Sequence, residues 1–235
     1  MDDDAVKDAG SAQSRAEILG AIEDALRDEP TRELPPVGPV FPAQGRVDVA
    51  QLADSFAREL TALKGEVVFV QTAASLPRAL GVLLAQRGLN VAAVQNSTRV
   101  SAALAQVAGD RFFQAAGASL ERLESADCGI IEAGALLADT GSVLAIFKNR
   151  GERLLPYLPP TCIVIADADQ LRPHMDDAMA DLYGAARDGA HGEGVIITGP
   201  SRSADIEKVL ILGAHGPSAL IVLLCGVALG DAAQP

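Results

Sequence analysis

Three stretches of this chain carry side chains suited to chemistry. In Ala138-Asp139-Thr140-Gly141-Ser142, a carboxylate stands beside two hydroxyls in a tight turn. Such a carboxylate can bind a small polar substrate or act on it as a base, with Asp139 the catalytic candidate and Thr140 and Ser142 as substrate ligands. The same residues also simply make a good turn, since Asp and Thr bond their own backbone and Gly permits positive φ. Just downstream, Lys148, Arg150 and Arg153 form the densest basic cluster. Arg153, beside Leu154-Leu155-Pro156, is the best placed for a guanidinium grip on a carboxylate or phosphate; the bland alternative is a solvated hairpin tip.

The third stretch is Gly194 to Glu207, in which a strand ending at Thr198 meets Gly199-Pro200 and then a helix over Ser203–Leu212. Ser201 or Ser203 would cap that helix, with Ile206, Val209 and Leu210 on its core face. Unpaired N–H groups at the carboxyl edge of a sheet attract anions, and Arg202 adds positive charge. Asp205 and Glu207 in the first turns suit the helix dipole but offset that potential. His215, in Gly213-Ala214-His215-Gly216-Pro217, titrates near neutral pH and is either an acid–base group or a hydrogen-bonding loop residue. Ser201, Arg202, Asp205 and His215 complete the substrate-binding candidates.

Composition narrows the classes. A net charge of -12 argues against nucleic acid or an anionic membrane as partner. His174, His191 and His215 have no i,i+4 partner, and neither CxxC nor HExxH occurs, so no metal site is expected. Walker A, GxGxxG after a strand and GxSxG are likewise missing. Cys128, Cys162 and Cys225 are scattered among apolar residues, which predicts buried free thiols in a reducing cytoplasm. Met1 leads into Asp2, Asp3 and Asp4, unlike an export signal, and the run Ala219–Leu229 is too short for a membrane span.

The elements that must position these residues follow from periodicity. An apolar share of 49% supports a core, and with aromatics at 3% that core is aliphatic. Ile18, Leu19, Ile22 and Leu26 mark a helix over residues 11–28, and the prolines from Pro30 to Pro42 mark an extended arm. A short helix over Val49–Leu63 completes an N-terminal region of residues 1–64. A main domain over 65–229 and a tail over 230–235 follow. Val67–Val70, Leu89–Val94, Arg111–Phe113, Cys162–Ala166, Val195–Thr198 and Ala219–Cys225 read as strands. Helices are expected over Ser75–Gln86, Val100–Ala108, Ser119–Glu124 and Pro173–Arg187. That alternation predicts parallel β-α units. Cys128–Ile131, Ala135–Ala138 and Ser142–Phe147 are too closely spaced for crossover helices and predict an inserted antiparallel hairpin or meander.

Thr198-Gly-Pro-Ser-Arg-Ser-Ala-Asp-Ile-Glu207, with Gly213-Ala-His-Gly-Pro217 behind it, resembles the C-terminal signature of the LUD-domain family. Within that family the pattern is most like the C component of lactate-utilisation systems. Ala138-Asp-Thr-Gly-Ser142, Arg153 before Leu158-Pro159, and Asp169-Gln-Leu-Arg-Pro173 match in the same order. The resemblance covers residues 65–225. It implies an α/β fold with a Rossmann-like sheet of the sugar-phosphate isomerase/CoA-transferase-like type. It also implies a place in a three-component system that oxidises L-lactate to pyruvate. There the iron–sulphur clusters belong to partner subunits and this chain has no cofactor of its own. The alternatives are a stand-alone isomerase or acyl-CoA-transferase-like enzyme acting on a small anionic substrate, and a small-molecule sensor. Two positions depart from the family. Asp139 replaces a Glu, and Gly134 stands where an Asp is common; Glu132, on the same strand face, is the available substitute.

Overall fold

Two units make up the chain in the computed structural model, which describes residues 3–27, 48–107, 111–179, 193–204, 210–212 and 216–227. The first unit, Met1–Val40, holds helix α1 (Asp3–Arg27). Ile18, Leu19 and Ile22 form its apolar stripe and are all exposed. The proline-rich stretch from Pro30 to Pro42 lies outside the described residues.

The second unit, Phe41–Pro235, starts its described part with α2 (Val49–Ala62), where the Asp48 carboxylate accepts the N–H of Ala50 at 3.3 Å. Helical spacing brings Ala53, Phe56 and Leu60 onto one fully buried face. Each of the two large side chains contributes about 1.5–3 kcal/mol by leaving water. Helix α2 thus packs into the main core through Ala53, Phe56 and Leu60.

In chain order the strands are β1 (Glu66–Val70), β2 (Ala92–Val94), β3 (Phe112–Gln114), β4 (Cys128–Glu132), β5 (Ala135–Leu137), β6 (Ser142–Phe147), β7 (Thr161–Asp167), β8 (Leu171–Arg172), β9 (Glu193–Ile197), β10 (Arg202–Ala204), β11 (Leu210–Leu212) and β12 (Ala219–Cys225). The helices after α2 are α3 (Leu76–Arg87), α4 (Thr98–Leu104), α5 (Leu120–Glu124) and α6 (Arg150–Arg153), and residues 175–179 are also helical. A central sheet runs β1-β12-β7-β4-β2-β3, with every neighbouring pair parallel. Its central strands β12 and β7 are continuous apolar runs because both faces are covered. Along β12, Leu220, Val222 and Leu224 join the core shared with α2, while Ile221, Leu223 and Cys225 join the core under α3 and α4. The result is a mixed α/β fold around a parallel sheet, as the alternation predicted.

A second sheet, β8-β5-β6-β9, packs on the α2 side through Leu136, Val143, Ala145 and Phe147. Strands β5 and β6 form the expected antiparallel hairpin, pairing Leu137 with Ser142. Three expectations need correction. Cys128–Ile131 is not part of the meander: β4 lies in the parallel sheet, and the chain changes sheets at Ala133-Gly134. Strand β9 pairs antiparallel with β6 as an edge strand, so the loop after Thr198 does not sit at the carboxyl edge of the parallel sheet. The helix expected over Ser203–Leu212 is replaced at both described ends by β10 and β11, paired antiparallel, while residues 205–209 lie outside the described residues. Short apolar runs such as Leu210-Ile211-Leu212 suit either state, and pairing with β10 decides it.

Candidate functional site

Asp139 sits in the turn between β5 and β6, closed by Gly141 N–H donating to Leu137 O at 3.0 Å. Gly141 has φ 63, and a Cβ there would come 2.4 Å from Leu60 N. Only glycine lets the turn rest on the backbone at the end of α2. On its other side the turn is bonded to the strand leaving β8: Ala138 N–H donates to Arg172 O at 2.9 Å and Asp139 N–H to Pro173 O at 3.3 Å. This places the Asp139 carboxylate against an imidazole, with Oδ2 3.0 Å from Nδ1 of His174. Their side chains are 28% and 17% exposed. A carboxylate on Nδ1 fixes ring orientation and favours the proton there, the arrangement in which imidazole passes protons through its other nitrogen.

Ser142 is buried, and its hydroxyl meets that of Thr198 at 2.9 Å, joining the turn to the end of β9. Gly199 also rests on the end of α2, where a Cβ would lie 3.0 Å from Leu63 Cβ. Ser201 N–H then donates to Pro217 O at 2.9 Å, so the loops Thr198–Ser201 and Gly216-Pro217 are adjacent. The segments of Asp139, Ser142 and Ser201 are thus gathered at one end of the smaller sheet. Thr140 is exposed on the same turn. Without the helix there is no helix N-terminus at Ser201 for an anion. Arg202 lies on β10, and Asp205 and His215 lie outside the described residues.

Arg153 stands apart. It pairs with Glu193 at 2.5 Å, and Glu193 is aligned with Phe147 at the far end of β6 from Ser142. Five residue steps of strand are about 17 Å. One cleft therefore does not hold Asp139, Ser201 and Arg153 together.

A second ionisable cluster occupies the true carboxyl edge of the parallel sheet, where open α/β sheets most often bind ligands. Glu132 and Asp167 end β4 and β7, and Arg99 of α4 bridges them at 2.7 and 2.8 Å. The backbones beneath are fixed by two side-chain amides, the buried Gln95 and the half-buried Gln170. Gln95 accepts the Glu132 N–H at 2.8 Å and donates to Ile146 O at 2.9 Å. Gln170 accepts the Asp167 N–H at 2.8 Å and donates to Ala133 O. Cys225, aligned with Asp167, is held up at about 11 by burial and then by Asp167, partly offset by Arg99. Glu132 is thus committed to Arg99. The place of a side chain at Gly134 is filled by Ile146, 3.2 Å from where a Cβ would stand.

His174 and Arg99 are the functional candidates that sequence reasoning missed. His174 adjoins the matched motif Asp169–Pro173, a signal that could have found it. Nothing local marks Arg99, whose partners stand 33 and 68 positions away in sequence. Among the described residues no group of three His, Cys, Asp or Glu could hold a metal, and no helix is long and apolar enough to cross a membrane.

With this geometry in place, likeness to known proteins is informative. The crystal structure of a DUF162 family protein from Deinococcus radiodurans superposes with a TM-score of 0.59, covering 77% of this chain and 100% of that one. Identity is 18%, so the likeness speaks to fold alone. A lactate utilization protein C from Geobacillus thermodenitrificans is 37% identical over 101 residues, 42% of each chain. The protein of the same name from Halalkalibacterium halodurans is 38% identical over 100 residues, 42% of this chain and 44% of the relative. The chain thus spans about two-fifths of the length of these relatives. The LUD domain matches residues 53–225, which runs from α2 to the end of β12 and takes in both clusters. The chain belongs to the LUD domain family.

Proposed function

We propose that this chain serves lactate utilisation in the cytoplasm as a component without clusters of its own, beside iron–sulphur subunits that oxidise L-lactate to pyruvate. The observation that carries this reading is the 33–38% identity to family relatives named lactate utilization protein C. Within that role, Asp139 and His174 are the pair offered to a small hydroxy acid, with Thr140 beside them. The negative charge of -12 keeps nucleic acid and anionic membranes away.

The direct test is co-expression with candidate iron–sulphur subunits. The expected result is a brown complex containing this chain, and L-lactate-dependent reduction of an electron acceptor that falls when the chain is left out. A chain that never co-purifies, and whose loss leaves lactate oxidation unchanged, refutes the reading. A second reading, a self-sufficient transferase of the acyl-CoA type, draws on the Asp139–His174 pair and the carboxylates at the sheet edge. It requires a covalent acyl-carboxylate. Hydroxylamine trapping during incubation with acyl-CoA that modifies no carboxylate eliminates it.

A further inference from the structure

The basic cluster Lys148, Arg150 and Arg153 is divided by the fold. Arg153 is neutralised by Glu193 at 2.5 Å. Arg150 makes no ion pair or hydrogen bond among the described residues and instead lines a cavity of about 490 Å³ between α5 and α6. Such a volume falls in the range of small-molecule sites. The walls are Ala118, Leu120, Leu123 and Leu154, with Gly117 and Gly151 presenting bare backbone and Asn149 beside Arg150. Not one lining residue is acidic, in a chain with 31 Asp and Glu.

The walls are fixed in place. Gly151 lets α6 approach the β3–α5 connection so closely that a Cβ would lie 2.0 Å from Ala115 O. Glu152, 2% exposed, anchors the other side of α6, its carboxylate accepting the N–H of Asn96 at 3.0 Å. The nearest carboxylate in sequence is therefore turned away from the cavity and occupied. Gly117 has φ 77, and a Cβ there would meet nothing within 4 Å, so the space beside it is open. Asn149 Oδ1 accepts the Glu152 N–H at 3.0 Å, leaving the amide NH₂ as a second donor.

We propose that this cavity binds a short aliphatic monocarboxylate, its carboxylate on Arg150 and Asn149 and its chain against Leu120, Leu123 and Leu154. One planar guanidinium matches one carboxylate, whereas a phosphate dianion would call for a second cation that no lining residue supplies. The site stands at α5 and α6, apart from the Asp139 turn, and does not depend on the lactate reading.

Calorimetric titration of the full chain with sodium hexanoate tests it, with hexan-1-ol and inorganic phosphate as comparison probes. Saturable 1:1 hexanoate binding is expected, with both probes at least about tenfold weaker. Arg150→Gln, an exposed position, should weaken hexanoate about tenfold or more, the loss of one charge-assisted contact. Leu120→Asp, 53% exposed, should do the same through repulsion, while Arg153→Gln leaves binding unchanged. Urea midpoints confirm that each variant is folded. Absence of saturable hexanoate binding up to about 10 mM, or equal binding by wild type and Arg150→Gln, overturns the proposal, the first because RT ln Kd there falls below any useful site. Hexan-1-ol or phosphate binding as tightly as hexanoate overturns it too.

Discussion

The turn that carries Asp139 rests on the end of α2, and replacing Gly141 by Ala tests how much that contact matters. Two costs follow from the geometry. At φ 63 an L residue loses about 1–2 kcal/mol in the left-handed region. The added Cβ would also stand 2.4 Å from Leu60 N, 2.7 Å from Glu59 C and 2.8 Å from Leu60 Cα. These are backbone atoms of a helix whose Phe56 and Leu60 are fully buried, so no side chain can swing aside and α2 itself must move. Overpacking of this kind costs about 1–3 kcal/mol, for a total near 3 kcal/mol. Gly88→Ala is the matched control, because φ is 64 there but a Cβ meets nothing within 4 Å. It should cost only the conformational share, about 1 kcal/mol, after the gain from a stiffer unfolded chain. Urea unfolding of both variants should show a gap of about 2 kcal/mol, roughly 1 M in midpoint for an m-value near 2 kcal/mol/M. Equal midpoints would mean that the turn does not rest on α2 as described.

Glu152 is the next position to test. Its buried carboxylate accepts the N–H groups of Asn96 at 3.0 Å and Lys148 at 3.4 Å. Glu152→Ala should therefore cost about 2–3 kcal/mol in urea unfolding, and Glu152→Gln, which keeps an acceptor, clearly less; equal losses would refute the role. The thiols give a chemical check. Burial pushes Cys128 and Cys162 up to about 12, and Cys225 to about 11 with help from Asp167. A raised value leaves the neutral thiol dominant at pH 8, and only the thiolate alkylates. Iodoacetamide at pH 8 should add nothing to the native chain and three groups in urea, counted by mass spectrometry; a native adduct would contradict this burial.

Which parts of this molecule were legible in the sequence follows from the range of the interactions involved. Val67–Val70, Cys162–Ala166 and Ala219–Cys225 are continuous apolar runs, a signature of sheet strands covered by other elements, and all three lie in the parallel sheet. The β5–β6 hairpin was legible because Asp139-Thr140-Gly141 permits little else. Sheet membership was not. The link Ala133-Gly134 looks like a tight connection, yet the chain runs through it from one sheet into another, and that choice rests on Leu144 O receiving the Gly134 N–H at 2.7 Å. Ser203–Leu212 fits a helix face and an apolar strand equally in isolation. The partners of Asp139, Arg99 and Glu152 are set by strand order, which no local spacing encodes.

The eight residues from Asp167 to His174 then explain why the two ionisable clusters belong to one framework. Asp167 is paired to Arg99, and Gln170 clamps Ala133 at the exit of β4. Arg172 holds its own chain through Asp169 O at 2.6 Å and Leu171 O at 3.0 Å, while its carbonyl takes the Ala138 N–H. His174 closes the series on Asp139. Every second or third residue is tied down, first to the parallel sheet through Asp167 and Gln170 and then to the smaller one through Arg172 and His174. The carboxylate at the edge of the central sheet and the carboxylate in the β5–β6 turn therefore hold a fixed relation, though neither contacts the other. Gly134, packed against Ile146 at the change of sheets, joins the two in the same way: its N–H bonds Leu144 O of the smaller sheet, while Glu132, two residues before it, holds Arg99 at the edge of the central one.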